Sequence, residues 1–598
     1  MATKARGAHS PLTDPRIILL LIVAAIWLCG AVAAKVATNA SNALAWPFEL
    51  ITSETNWTLS ATLITVVMLA LIVTLIILCV RLSRDELKDY KDAASSMTPF
   101  KKLENITEKA TRTTGQRLTP QLRGTRAVNG IGLGYTLLGN KPLFLDWEST
   151  MLVVAGPRMG KTQAVALPAI VTAPGPVFTT SNKPDILNES VDYRNTLGAI
   201  WCFDPQNVAG QTNLWWNPLA RVHDMPTALK LTGWLSSGAG NSAESNQSNK
   251  YFEDEGNRLL GLLILAAALG NGDLKHVYDW LKDVDSAIPV QLLHQAGYPN
   301  PASDLRSIQS METRQRDGVI GFARQIIGLL SHDGYAQYIT PERRVRFGTD
   351  GNGIVTRETV AGIHERPLAA LDTSSFATSK DTLYALSLEG IGSAAGLVTA
   401  LTGEILEEAT ITAGKTKGRL EVPLVAVLDE AANICKMAEL PKQYSHFGSR
   451  GIIPITILQS PGQARGVWGA DGWDALKSSS AIRYYGGNCD DQSYLSDLSS
   501  KVGKRDVRYA STSTGSSGVS HSHNVQREDI LEVSDLAALP KDLALLQSPG
   551  NKPVLIKKGF ITSNKYLQQQ ITDAIENGAA PNTAPSGVMA TSTTSEGV

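Results

Sequence analysis

Two uncharged apolar stretches stand near the head of the chain, Ile17 to Ala34 and Trp57 to Val80. The first is close to the minimum for crossing a bilayer and the second clearly sufficient, so the pattern predicts two transmembrane helices. A secretory signal peptide is the alternative for the first, because Lys4, Arg6 and Arg16 precede it and "AVAA" resembles a small-residue cleavage site. Lys35 is the one cation between the stretches, whereas Arg81, Arg84, Lys88 and Lys91 follow the second. By the positive-inside rule a multi-pass protein of the cell membrane is expected, with its N-terminus and large C-terminal part in the cytoplasm.

Beyond the second stretch the pattern turns polar, and Asp85 to Leu118 reads as a partly helical linker. From "NKPLFLDWESTMLVVAG" onward, short apolar runs alternate with longer amphipathic ones, the signature of an α/β domain with a mostly parallel sheet. Predicted strands are Met151 to Val154, Val177 to Thr180, Ile200 to Phe203, Thr382 to Leu388, Pro423 to Leu428 and Ile452 to Leu458. Between Met225 and about Arg344 helical periodicity takes over, as in "NRLLGLLILAAAL", which predicts an all-α domain inserted into the α/β one. "STSTGSSGVSHSH", Ser511 to His523, reads as a mobile loop, and residues 578–598 as a disordered tail.

At 598 residues the chain exceeds one hydrophobic core. Its net charge of −1 leaves nucleic-acid contact to local patches. The tightest basic group, Arg343, Arg344 and Arg346, reads as a solvated face before a DNA site. Cys29, Cys79, Cys202, Cys435 and Cys489 form no CxxC pair, which argues against a disulfide framework or a zinc site. His521 and His523 have no further ligand candidates close by.

The chemistry is carried by Ala155 to Thr162, "AGPRMGKT", which follows an apolar strand and opens a helix. This is the spacing of a phosphate loop, with Ala155 where glycine is commoner. In the loop formed by Gly156, Pro157, Arg158, Met159, Gly160 and Lys161, the backbone N–H groups between Gly156 and Lys161 are expected to surround a triphosphate. Lys161 would reach the β- and γ-phosphates, and Thr162 would place its hydroxyl on Mg²⁺. "VPLVAVLDEAANI" supplies the acidic partner: Asp429 to hold Mg²⁺ and Glu430 to polarise the attacking water. ATP and Mg²⁺ are thus the expected ligands. The nucleotide-binding domain then falls into two parts, 119–224 and 346–577, on either side of the all-α domain at 225–345, with a membrane anchor at 1–84 and a linker at 85–118.

The order of these features resembles the coupling proteins of type IV secretion, the membrane-anchored ATPases of conjugative DNA transfer. The residues that carry the resemblance are the phosphate loop, "WCFDPQN", "WWNPL", the helical insertion, "LDEAANI", "YSHFGSRGIIPITILQSPGQARGVWG" and "SSSAIRYYGGNCDDQSYLSDLSSKVGKRDV". It implies a RecA-like motor carrying an all-α domain, assembled as a homo-hexamer beneath the inner membrane. Such a motor moves single-stranded DNA, with its relaxase and relaxosome proteins, toward the secretion channel components. It also implies that Gln459 senses the γ-phosphate and that Arg450 is an arginine finger for the neighbouring subunit. The loop departs from the family's usual glycine and threonine content at Pro157, Arg158 and Met159, and "TTSNKPD" leaves Lys183 where many members have lysine and glycine after an aspartate. Two other functions compete: a secretion hub that recruits protein substrates without moving DNA, and a double-stranded DNA translocase of the chromosome-partitioning type. The latter usually carries more spans and a C-terminal DNA-reading module, for which the Ser- and Thr-rich end leaves no room.

Overall fold

The structure, a computed structural model, describes residues 87–239, 247–390, 392–515 and 518–577, together with positions 27, 31, 66, 67 and 70. Apart from those single positions, both predicted spans lie outside the described residues, as does the tail at 578–598. Among the described residues no helix is long and apolar enough to cross a membrane.

The described residues from Ala93 onward form one compact unit, built on an eleven-stranded mixed sheet. Its strands are β1 (Ile131–Thr136), β2 (Pro142–Leu145), β3 (Met151–Val154), β4 (Val177–Ser181), β5 (Ile200–Phe203) and β6 (Thr382–Leu386). They continue with β7 (Leu424–Leu428), β8 (Ile452–Leu458), β9 (Ile482–Tyr485), β10 (Leu543–Gln547) and β11 (Val554–Lys557). The spatial order is β2-β1-β11-β10-β9-β3-β8-β7-β4-β6-β5. From β9 to β5 every neighbouring pair is parallel, and from β9 back to β2 every pair is antiparallel. Strands β3, β7 and β8 read MLVV, LVAVL and IIPITIL and are buried at every position. Helices cover both faces of such a sheet, so a strand at its centre has no wet side and shows no alternation.

The six predicted strands all form. Missing from the prediction are β9, which adds a parallel strand beside β3, and β10, β11, β1 and β2, which extend the sheet as an antiparallel wing. β1, "IGLGYT", carries two glycines that weaken any strand pattern. Part of the predicted linker also belongs to the fold: Leu103 and Ile106 are buried in the main core, and the Phe144 amide donates to the Ile106 carbonyl at 2.9 Å.

Helices dominate from Met225 to Ile327. Their starts are legible in the sequence: Asp224 and Asp273 each accept from the first-turn amides in a capping box. Asp273 is also buried against Arg344, with contacts of 2.6 and 2.8 Å. Burial opposes its charge, yet hydrogen bonds from His276 and Arg344 hold its pKa down to about 2. Arg344 is therefore an internal tie of the ribbon Arg343–Thr349/Val355–Ala361, while Arg346 meets Glu358 at 3.7 Å at the surface. Ser511 to His523 does not form an open loop: Lys504–Gly515 and Gly518–Asp529 pair as a long antiparallel ribbon. Its serines, threonines and glycines hide the period-two pattern by which a strand is recognised.

Candidate nucleotide site

β3 delivers the chain to the phosphate loop at the carboxyl end of the parallel strands, where an open α/β sheet places its ligands. The Ala155 amide donates to the Leu458 carbonyl at 3.1 Å and the Gly156 amide to Gly487 at 2.9 Å, so the end strands of the turn are fixed by β8 and β9. Gly156 permits a close approach, since a Cβ there would lie 1.8 Å from the Asn488 carbonyl oxygen. Arg158 and Gly160 adopt φ of 62° and 76°, which reverses the chain within the loop. Pro157 and Arg158 are exposed and Met159 is buried. From Thr162 to Ala166 the following helix starts with a π-helical turn.

The acidic pair directly follows β7, beside β8. Register places Leu428 opposite Thr456 and Leu458 opposite Val154, so the loop, the acidic pair and Gln459 emerge on one edge of the sheet. Glu430 sits at φ 51°, a left-handed conformation uncommon for a non-glycine residue. That turn brings its carboxylate to Lys161, with Nζ and Oε1 3.3 Å apart and both side chains about nine-tenths buried. The Gln459 amide donates to both Glu430 oxygens at 2.9 Å, and Asn433 reaches Oε2 at 3.3 Å. Asn433 and Asn182 in turn both donate to Glu389, at 2.8 and 3.0 Å.

Asp429 differs from its neighbour. Its backbone carbonyl accepts from the Thr180 hydroxyl at 3.0 Å, but its Oδ1 is buried with no hydrogen-bond partner. Burial first, and then the charge of Glu430, push its carboxyl up to about 7, against the pull of Lys161. A buried acceptor without a donor is costly unless a cation or an ordered water meets it. Asp429, with the Thr162 hydroxyl at the start of the adjoining helix, fits the oxygen-donor set of Mg²⁺.

Arg450 lies elsewhere. It closes the turn before β8, at the amino end of that strand, whereas Gln459 follows its carboxyl end. Seven residues of strand at about 3.3 Å each put roughly 20 Å between the two. Within one chain Arg450 is thus remote from the phosphate loop. Its turn is held by Arg419, which donates to the Gly448 and Ser449 carbonyls at 2.8 and 3.0 Å and also to the Trp147 carbonyl. Lys183, after β4, is exposed.

Residues that the sequence reading did not single out also shape the site. Asn433 was within reach of pattern reasoning, three positions beyond Glu430 in "LDEAAN". Glu389, Lys558 and Phe560 were not, since Lys558 contacts the loop across a separation of 399 residues. "WCFDPQN" proves to be scaffolding: Asp204 accepts the amides of Val208 and Ala209 at 2.7 Å, and Gln206 accepts those of Leu388 and Ala394 at 2.9 and 3.0 Å.

Residues 96–282 match the family described as type IV secretory system conjugative DNA transfer, and residues 423–541 match the TraM recognition site of TraD and TraG. The bacterial conjugative coupling protein TrwB, in its unbound monoclinic form, is 15% identical over 75% of this chain and 92% of that one, with a TM-score of 0.49. The plasmid coupling protein TrwB in complex with ADP and Mg²⁺ is 14% identical over 75% and 92%, with a TM-score of 0.45. VirB4 of Thermoanaerobacter pseudethanolicus is 11% identical over 74% and 98%, at 0.39. No curated protein sequence matches the chain.

Proposed function

The chain belongs to the type IV secretion coupling proteins, and from that premise we propose that it is a membrane-anchored ATPase that drives conjugative DNA transfer. The observation that carries the reading is the convergence of Lys161, Asp429, Glu430 and Gln459 on one edge of the sheet.

The loop amides from Arg158 to Lys161 would hold the phosphates of ATP, since the Gly156 N–H is engaged by Gly487 and Pro157 has none, and Thr162 and Asp429 would hold Mg²⁺. Bound Mg²⁺ supplies neutralisation of charge on the β- and γ-phosphate oxygens. Glu430 is engaged on one side by Lys161 and across both oxygens by Gln459. When Lys161 turns to a phosphate oxygen, one Glu430 oxygen becomes available to accept a proton from an attacking water, while Gln459 keeps the carboxylate aligned. Lys161 and Gln459 then link phosphate occupancy to the state of the base.

We further read the assembly as a homo-hexamer in which Arg450 serves the neighbouring subunit, a reading supported by its remoteness from the loop of its own chain. Mixing Arg450→Ala subunits with Lys161→Ala subunits should then recover part of the activity that neither has alone, since one interface in the mixture holds an intact loop and an intact arginine. No recovery in a ring shown to assemble would remove that role. The cargo in this reading is single-stranded DNA with its relaxase, recruited through relaxosome proteins and passed to the secretion channel. The family match at 423–541, described by its recognition of TraM, supports the relaxosome contact. Membrane anchoring rests on the two apolar stretches and the cations that follow the second.

The test is the ATPase rate of the full chain with and without single-stranded DNA across protein concentration. A steep DNA-dependent rise is expected of a ring-forming DNA motor. Activity indifferent to DNA, where the ring is shown to form, would favour the protein-substrate hub.

A further inference from the structure

Lys558 follows β11 and lies behind the phosphate loop. Its ammonium donates to the Met159 carbonyl at 2.8 Å and to the Gly486 carbonyl at 2.9 Å, and the residue is 3% exposed. Phe560, two positions on, lies against the next loop residue, so that a Cβ on Gly160 would stand 2.6 Å from its ring. The end of β11 therefore grips Met159 and Gly160 together, at the point where the loop reverses.

The two lysines of the site differ in how their charge is met. Lys161 has the Glu430 carboxylate at 3.3 Å. Lys558 has two carbonyl dipoles and, among the described residues, no carboxylate in ion-pair contact. A buried ammonium without an anion is unfavourable, and carbonyl dipoles offset only part of its lost hydration. Asp542 acts on it from beyond ion-pair contact, and the further anion that the fold can bring near is the one bound by the amides of the same loop.

We propose that Lys558 is a positioning residue of the nucleotide site, fixing the loop through the Met159 and Gly486 carbonyls while its charge is completed by phosphates held on the loop's other side. The proposal rests on the nucleotide-binding reading given above. It makes the C-terminal strand pair part of the phosphate site, and it explains why a lysine rather than an apolar residue closes β11 in a buried position.

The experiment is a titration of the purified full chain with fluorescent ADP, beside Lys558→Met, Lys558→Arg and Lys161→Ala. Lys558→Met should weaken ADP about ten- to a hundredfold, the range of charge-assisted contacts. Lys558→Arg should recover part of that loss, which loss of packing alone would not allow. A second readout needs no substitution. Burial lowers the Lys558 pKa to about 8, with Asp542 favouring its charge and Lys541 opposing it. A phosphate that completes this charge raises the value, so ADP binding at pH 8.5 should take up roughly half a proton or more. Calorimetry in two buffers of different ionisation heat reads that uptake; at this pH the phosphates and Asp429 are already ionised. If Lys558→Met binds ADP as the unaltered chain does, or the unaltered chain takes up no proton, the proposal is overturned. If the unaltered chain does not bind ADP, or Lys161→Ala binds it equally well, the nucleotide reading itself fails and takes this proposal with it.

Discussion

Two buried carboxyls in this molecule are pushed up to about 7, and they stand in regions with different purposes. Asp429 directly follows β7 at the carboxyl edge of the sheet, and Glu404 lies within the long helix Ala395–Lys415. Burial is the largest cause for both. Glu404 accepts from the Thr373 hydroxyl at 2.6 Å and borders a cavity of about 270 Å³ together with Trp216, Asn217 and Arg221. One turn further along, Glu408 pairs with Arg221 at 2.9 Å. Asp429 instead keeps an oxygen with no donor, beside a lysine, a second carboxylate and a phosphate loop. A raised carboxyl is therefore not in itself a sign of chemistry; the open valence and the company it keeps make the difference.

Substitution should separate the two regions most sharply. Asp429→Asn is expected to lower ATP hydrolysis by about two to three orders of magnitude, the scale on which a preorganised electrostatic group contributes. Its thermal stability should hold or rise, because a buried carboxyl that resists ionisation becomes a neutral amide. Glu404→Gln should leave the turnover number within about twofold, since the side chain keeps an acceptor for Thr373. ATPase rates and melting curves of both variants check this; a dead Glu404→Gln beside an active Asp429→Asn would reverse the comparison.

A smaller effect lies in the pH dependence of stability. Both carboxyls titrate higher in the folded chain than at their ordinary values of 3.8 and 4.5. Between those values and about 7 the folded state holds the extra protons, so both groups make stability fall as pH rises. In the proposed site Mg²⁺ would bind the ionised form of Asp429, and it should then restore stability near pH 7 to 8 in the unaltered chain and in Glu404→Gln, but not in Asp429→Asn. Melting temperatures from pH 4 to 8, with and without Mg²⁺, supply the reading. An Mg²⁺ response that survives in Asp429→Asn would detach the metal from that residue.

The same contrast explains what could be read from the sequence. The parallel centre announces itself because strands buried on both faces are continuous apolar runs, and the loop and acidic pair follow such runs directly in β3 and β7. The antiparallel wing carries that signal only in part: β1 is interrupted by glycine, whereas β10 and β11, LALLQ and VLIK, are short apolar runs that the prediction leaves out and whose antiparallel pairing no local pattern reveals. The convergence of Lys161 with Glu430 and Gln459 was foreseeable in kind, since each residue ends a predicted strand or begins a predicted helix. The hold of Lys558 and Phe560 on the loop was not, because no local spacing records a contact between a chain's two distant parts. The ribbon at Lys504–Asp529 was obscured by composition, its backbone pairing being independent of the small polar side chains that suggested a loop.

In the proposed site the acidic pair after β7 is the hydrolytic centre, with Glu430 as the base and the loop as an independent binding element. ATP binding and single-turnover hydrolysis by Glu430→Gln, beside Lys161→Ala, test it most directly. Glu430→Gln is expected to bind ATP with little change in affinity and to fail to hydrolyse it, whereas Lys161→Ala loses binding. Hydrolysis by Glu430→Gln at close to the unaltered rate, or equal loss of ATP binding in both variants, would contradict it.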